Sequence, residues 1–193
     1  MLYLLGGVAR TGKSTIAQRF LVETGTPFFS LDYLMMGCTH GAPQLGVDPN
    51  ADDRQTAAKL TPIIKAMATA MIENGETYLL EGVQLQPQLA ADLTCQFPDQ
   101  VCVAFVGYAE IDLLTKVQQI RQFDGGANDW LSHGDDAELL ATVAWFKAAS
   151  QRVRAECHTY GLPYFDTSAY FTATLDQVVD FLKTVPQVKS HEL

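Results

Sequence analysis

The chain carries near its start the segment Gly7-Val8-Ala9-Arg10-Thr11-Gly12-Lys13-Ser14: a glycine, four unrestricted residues, then glycine, lysine and serine. This spacing is typical of a phosphate-binding loop, in which backbone N–H groups face phosphate oxygens, the lysine neutralises them and the hydroxyl holds Mg²⁺. An apolar run at 2–5 predicts a buried strand before the loop, and 14–23 predict a helix after it that ends at Gly25. A helix that starts there offers unpaired N–H groups, so the segment predicts a site for phosphate groups.

The composition is that of one ordinary globular domain. The 193 residues are 48% hydrophobic and 18% charged, which is enough chain for a single core. A net charge of −9 and a pI of about 4.7 argue against non-specific binding to nucleic acid or to membrane surfaces, since both require clustered basic residues. The four cysteines form no C-x-x-C pair, and no lysine or arginine precedes the first apolar run. We therefore expect a cytoplasmic protein that is a monomer or a homodimer.

Short apolar runs alternate with helical patterns along the rest of the chain. Further runs that predict strands occupy 27–31, 77–80, 101–106 and 162–165, and helical patterns cover about 51–74, 136–160 and 174–185. Such alternation indicates parallel strands joined by crossover helices. We predict a single α/β domain over 1–193, with helices on both faces of a parallel sheet.

Two segments, 33–50 and 122–135, show no periodic pattern. In open α/β sheets the ligand lies beyond the carboxyl ends of the strands, where such segments leave the scaffold. We predict that the first belongs to an insert at about 33–75 that binds the acceptor, the molecule that receives a phosphoryl group. The second, with Gly125 and Gly126, predicts a lid at about 122–136 that closes over a nucleotide. The alternative is two surface loops without a function.

Two carboxylates follow predicted strands. Asp32 comes just after the second strand and Glu81 just after the third. A carboxylate there can orient an acceptor hydroxyl, accept its proton or hold a water of Mg²⁺. We predict a catalytic role for Asp32, contact with the acceptor for both carboxylates, and a metal site formed by both with Ser14. The alternatives are helix capping for Asp32 and a structural hydrogen bond to the glycine loop for Glu81.

Transfer of a phosphoryl group also requires cations to offset its charge. Lys13 and Arg121 are the predicted catalytic cations. Arg54, at the start of a predicted helix, is a candidate ligand for an anionic acceptor, with a solvated helix face as the alternative. Arg152 and Arg154 are interpreted as solvated.

Four segments, LLGGVARTGKST, FFSLD, YLLEGV and VAFVGY, together resemble the small P-loop kinases, which include nucleoside monophosphate, shikimate and gluconate kinases. The longer segment YLLEGVQLQP is most similar to 2-phosphoglycerate-kinase-like proteins. The resemblance covers nearly the whole chain and implies a five-stranded parallel sheet in the order 2-3-1-4-5. It also implies an ATP-dependent kinase that uses Mg²⁺ and transfers the γ-phosphoryl group to a hydroxyl of a small molecule.

The resemblance also assigns residues. It implies an acceptor-side acid at Asp32 and an adenine-side loop at Asp166, Thr167 and Ser168. The nucleotide-binding loop falls on Gly7, Val8, Ala9, Arg10, Thr11, Gly12, Lys13, Ser14 and Thr15.

One departure from the family pattern concerns charge. Related kinases commonly carry arginines in the lid, whereas no lysine or arginine occurs between Gln122 and Phe146, so that Arg121 and Lys116 would have to replace them. The segment 33–50 also lacks both residue types, which favours a neutral or weakly anionic acceptor, because a nucleoside monophosphate calls for strong phosphate clamps. A nucleoside monophosphate kinase, and a nucleotide-binding protein with slow hydrolysis and no transfer, are the alternatives.

Overall fold

A parallel sheet of five strands forms the centre of the molecule, whose computed structural model describes residues 1–122 and 135–184. The strands are β1 (Leu2–Gly7), β2 (Phe28–Ser30), β3 (Tyr78–Glu81), β4 (Val101–Gly107) and β5 (Tyr164–Asp166). Their order is β2-β3-β1-β4-β5, which confirms the predicted order. In the register of the sheet, Leu4 of β1 lies between Leu80 of β3 and Val103 of β4. The strands β1 and β4 are buried along their whole length, which explains their continuous apolar sequence.

Helices cover both faces of the sheet. They are α1 (Lys13–Thr24), α2 (Leu31–Gly41), α3 (Asp53–Glu73), α4 (Pro87–Gln96), α5 (Leu113–Gln122), α6 (Asp136–Tyr160) and α7 (Phe171–Thr184). On one face, Leu5 and Phe20 pack with Val179 of α7 in a core that joins the sheet to α1 and α7. On the other face, Leu4 packs in a larger core that includes Leu60 of α3 and Val143 of α6. The three-layer α/β prediction is confirmed.

The prediction of an irregular segment over 33–50 is wrong in its first half. This part of the chain forms α2 and then a short 3-10 turn, Pro43–Leu45. Leu31, Leu34, Met35 and Cys38 recur at helical spacing, and all four pack against the larger core. Two glycines lower the local helix propensity, but burial of this apolar face outweighs their effect. Helix α4 also had no counterpart among the predicted elements.

Most of the predicted lid, at about 122–136, lies outside the described residues. Helix α5 ends at Gln122 and α6 begins at Asp136, so that Gly125 and Gly126 lie outside the described residues. Among the helices that are described, none combines the length and the apolar character needed to cross a lipid bilayer.

Candidate active site

The glycine-rich loop connects the buried end of β1 to the start of α1. Gly7, Arg10 and Gly12 have positive φ angles of 132°, 61° and 86°. A Cβ atom on Gly7 would lie 2.0 Å from the carbonyl oxygen of Val106, so this position accepts only glycine. Arg10 adopts a backbone conformation that is unfavourable for a residue with a side chain, and such strain is commonly found at ligand-binding sites.

The carbonyl oxygens of the loop are held from one side by side chains. The Thr11 hydroxyl and the Lys13 ammonium donate to the carbonyl of Val8, at 3.0 and 2.6 Å. The Tyr108 hydroxyl donates to the carbonyl of Ala9 at 3.1 Å. The Lys116 ammonium donates to the carbonyl of Arg10, also at 3.1 Å. These bonds fix the loop backbone with its carbonyl groups already satisfied within the protein.

The first turn of α1 provides donors without partners in the helix. Its N-cap is Gly12, which offers no side-chain acceptor, and no acidic residue lies in the first turn. The N–H groups of Lys13, Ser14 and Thr15 precede the first possible intrahelical bond, which Ile16 makes to the carbonyl of Gly12 at 2.9 Å. An uncapped helix start beside a lysine is a favourable place for an anion. The residues present therefore fit the phosphate groups of a nucleotide.

Lys13 is almost completely buried, with 7% of its surface exposed. Burial lowers the pKa of its ammonium group, and the nearby carboxylates of Glu81, Asp32 and Asp53 oppose that decrease. The charges of three acidic side chains thus act on Lys13. This arrangement ties the predicted phosphate site electrostatically to the acidic residues beyond it.

The two predicted carboxylates lie at the carboxyl ends of neighbouring strands. Glu81 is the last residue of β3 and is 2% exposed, and it accepts a hydrogen bond from the Ser14 hydroxyl at 3.2 Å. Asp32 lies in the first turn of α2 and accepts a bond from the amide group of buried Gln84 at 2.8 Å. The N-cap of α2 is Ser30, so the alternative role of Asp32 as the capping residue does not apply.

The donor groups at this end of the sheet suit magnesium. In residues 1–122 and 135–184, no three acidic, histidine or cysteine side chains are grouped so as to hold a metal ion. Mg²⁺ usually keeps several waters and binds through one or two carboxylates together with substrate phosphates. The Ser14 hydroxyl and the Glu81 carboxylate form such a small oxygen set, with Asp32 near the same lysine.

An open cleft of about 1180 Å³ extends from the loop over the end of the sheet. Its walls come from the glycine loop, α1, the ends of β2 and β3, α2, the turn before α3, and α6. The lining residues include Ser14, Asp32 and Glu81, so the structure brings these three predicted site residues together.

Two parts of the cleft were missed by sequence reasoning. Asp53, the first residue of α3, lines it, and burial raises the pKa of its carboxyl group while the positive charge of Lys13 opposes the increase. Trp145 and Phe146 of α6 form another wall. The Asp52-Asp53 pair indicates a helix start, but nothing in the sequence places that start beside Lys13.

The predicted arginines lie elsewhere. Arg54 is exposed and is not one of the residues that line the cleft. Arg121 forms an ion pair of 2.8 Å with Asp136, which joins the end of α5 to the start of α6. Lys116 is buried beneath the glycine loop, with its ammonium group 4.3 Å from the ring centre of Tyr108.

The predicted adenine-side residues join two loops. The Asp166 carboxylate accepts bonds from the backbone N–H groups of Ala109 and Ser168, at 3.0 and 2.9 Å. The Thr167 hydroxyl donates to the carbonyl of Gly107 at 3.0 Å. These bonds hold the turn after β5 against the turn after β4, on the same edge of the sheet as the glycine loop.

Solved structures share this architecture. A shikimate kinase from Bacteroides thetaiotaomicron has a TM-score of 0.58 at 14% sequence identity, with 95% of this chain and 98% of that chain covered. A sugar kinase from Janibacter has a TM-score of 0.57 at 17% identity, with 98% of each chain covered. The chain therefore has the fold of the small P-loop kinases, as the sequence motifs predicted. No protein-family model matches the chain, and no curated protein matches its sequence.

Proposed function

We propose that the protein is a kinase that transfers the γ-phosphoryl group of ATP to a hydroxyl group of a small molecule. One observation carries the proposal: the phosphate cradle and two strand-end carboxylates open onto the same cleft, which Ser14, Asp32 and Glu81 line together. A transfer enzyme needs a donor site and an acceptor site in contact, whereas a nucleotide-binding switch does not need the second. The fold, shared with solved kinases, supports this interpretation.

The residues of the site divide the work of the reaction. The first-turn N–H groups of α1 and Lys13 bind and neutralise phosphate oxygens, and the Ser14 hydroxyl, with Glu81 beside it, would hold Mg²⁺. ATP supplies the phosphoryl group, and Mg²⁺ at this position would offset the charge of its phosphates. Asp32, oriented by Gln84, accepts the proton of the acceptor hydroxyl. A bond then forms between that oxygen and the γ-phosphorus while the bond to the β-phosphate oxygen breaks and leaves ADP.

The test measures ADP formation with and without a set of hydroxyl metabolites. We expect ADP to accumulate with ATP and Mg²⁺ when an acceptor is present, and much more slowly without one. Lys13→Ala should abolish this turnover, whereas Lys65→Ala, which changes an exposed lysine on α3, should leave it intact. Full activity of a correctly folded Lys13→Ala variant would disprove the assignment of the loop.

The same assay separates the two alternatives. Strong turnover with AMP, CMP or UMP would identify a nucleoside monophosphate kinase. Slow ADP formation that no acceptor accelerates would identify a nucleotide-binding protein that does not transfer.

A further inference from the structure

The charge of the cleft is one-sided. The residues that line it include three carboxylates, those of Asp32, Asp53 and Glu81, and in the described part of the chain no lysine, arginine or histidine lines it. Residues 123–134 add no lysine or arginine to the sequence either. An acceptor that enters this cleft meets negative charge from three separate elements: α2, α3 and β3.

Two cations, Lys13 and Arg152, act electrostatically on Asp53. Lys13 is buried and donates to the carbonyl of Val8, where it also serves the phosphate site. Arg152 lies on α6 and forms an ion pair of 4.0 Å with Glu156 on its own helix. Neither side chain lines the cleft.

Part of the cleft wall is aromatic and apolar. Tyr33 is 74% exposed, Trp145 is 42% exposed and Met36 is 40% exposed, and all three line the cleft. Trp145 lies against Phe146, with their ring centres 5.2 Å apart. Large apolar side chains exposed beside carboxylates suit a ligand whose positive charge is attracted to aromatic faces and to the acids.

An anionic acceptor does not fit these surroundings. A carboxylate or phosphate group on the acceptor would add negative charge near three acids, and recognition of such groups relies on arginine forks that the cleft wall lacks. The sequence favoured a neutral or weakly anionic acceptor, and Arg54, the candidate ligand for an anion, lies outside the lining. The charges of the lining therefore favour a positively charged acceptor over an anionic one.

We infer, on the basis of the proposed function, that the phosphoryl acceptor is a hydroxyl compound that carries a positively charged amine, such as an amino sugar or an amino alcohol. Its hydroxyl faces Asp32, and its ammonium group lies between Asp53 and the aromatic wall. The ammonium group of this compound adds a counter-charge for Asp53 to that of Lys13, whereas a neutral analogue adds none.

Matched compounds that differ mainly in charge test the inference. One set is glucosamine, glucose and glucuronate, and a second is choline, 3,3-dimethylbutanol and 3-hydroxybutyrate, assayed at pH 6.5 for ADP formation with ATP and Mg²⁺. We expect the highest kcat/KM with a cationic member, at least about tenfold above its neutral counterpart, and the lowest with the anion. A neutral or anionic member that is the best acceptor would overturn the inference and leave the proposed function standing. No acceptor-dependent ADP with any member would overturn both.

An isosteric variant tests the role assigned to Asp53. Asp53→Asn should reduce the cationic-to-neutral ratio of kcat/KM about tenfold while the KM for ATP stays unchanged. The matched control is Asp99→Asn, an exposed aspartate just before β4, at the opposite end of the sheet, which should leave the ratio as it is. Thermal unfolding of both variants verifies their folding. An unchanged ratio in folded Asp53→Asn would refute the role of this carboxylate.

Discussion

Several side chains of the candidate active site donate hydrogen bonds to backbone carbonyl groups of the glycine loop. Two of these donors, Lys13 and Lys116, are buried ammonium groups. A loop held in this way can present its N–H groups without rearranging when a phosphate binds, which is the preorganisation that transfer reactions exploit. The carboxylates of Asp32, Asp53 and Glu81 line the cleft beside this loop.

Asp32→Asn tests the proton acceptor. The amide keeps the shape of the side chain and an oxygen that accepts from Gln84, but it is a poor base. We expect kcat to fall about 10²-fold or more with little change in the KM for ATP, as measured by steady-state ADP formation. A variant that retains the kcat of the wild type would exclude Asp32 as the base.

Lys116→Met tests the buried lysine beneath the loop. Burial, and secondarily the charge of Arg10, lower the pKa of Lys116 from 10.5 to about 8. Between these two values the unfolded chain binds more protons than the folded one, so folded wild type gains stability as the pH rises through this window. Methionine has no such proton, and the neutral lysine amine still donates to Arg10.

The difference in unfolding free energy, wild type minus Lys116→Met, should therefore rise by about 2–4 kcal/mol between pH 7.5 and pH 10.5. Denaturant unfolding at both pH values measures it. A difference that is independent of pH would show that Lys116 is not desolvated in the folded protein.

At the scale of elements, α2 and the start of α3 shape the cleft more than any loop does. Helix α2 carries Asp32, Tyr33, Met35 and Met36 into the lining, and α3 contributes Asp53. A helix holds these side chains in fixed relative positions, as an irregular segment does not. The proposed acceptor site is consequently rigid on this side.

Gly37→Ala tests whether 31–41 is helical. A Cβ atom on Gly37 meets nothing within 4 Å, so alanine should stabilise the protein by about 0.5–1 kcal/mol through its higher helix propensity. Gly25→Ala is the matched control: its Cβ also meets nothing, but its φ of 74° should make alanine destabilising by about 1 kcal/mol. Chemical denaturation measures both changes. Destabilisation by Gly37→Ala would contradict the helix.

In the described residues, one sheet separates two hydrophobic cores, and both cores reach the ends of the glycine loop. Val8 belongs to the larger core, whereas Ile16, just after the loop motif, belongs to the core under α7. A ligand bound to the loop therefore contacts a segment on which both layers pack, and we expect it to stabilise the domain as a single unit.

A non-hydrolysable ATP analogue with Mg²⁺ tests this expectation. At 100 times its Kd it should add about 2.7 kcal/mol, which raises the melting temperature of a domain of this size by about 5–10 °C. Differential scanning calorimetry should show one transition that moves as a whole. Lys13→Ala should shift far less at the same concentration, and an unmoved wild-type transition would argue against nucleotide binding.

Much of this protein follows from local sequence alone. The glycine-loop motif, its strand and its helix are set by residues close together in the chain, and the apolar runs of β1 and β4 predict a buried parallel sheet because only such strands are apolar on both sides. The sequence also predicted that Asp32 and Glu81 lie at one site, because the carboxyl ends of parallel strands share one edge of the sheet.

The tertiary structure decided which residues form the walls of the cleft beyond the glycine loop. Helix α2 forms because its apolar face is buried by distant residues, a contribution that local propensity does not contain. Asp53 and Trp145 become neighbours of the phosphate loop only when α3 and α6 pack on the sheet, while Arg54 and Arg121 turn to solvent and to Asp136. The sequence by itself determined the position of the proposed phosphate site, because that site is built from consecutive backbone groups. The charge and shape of the acceptor cleft depended on long-range packing, because its walls come from segments far apart in the chain.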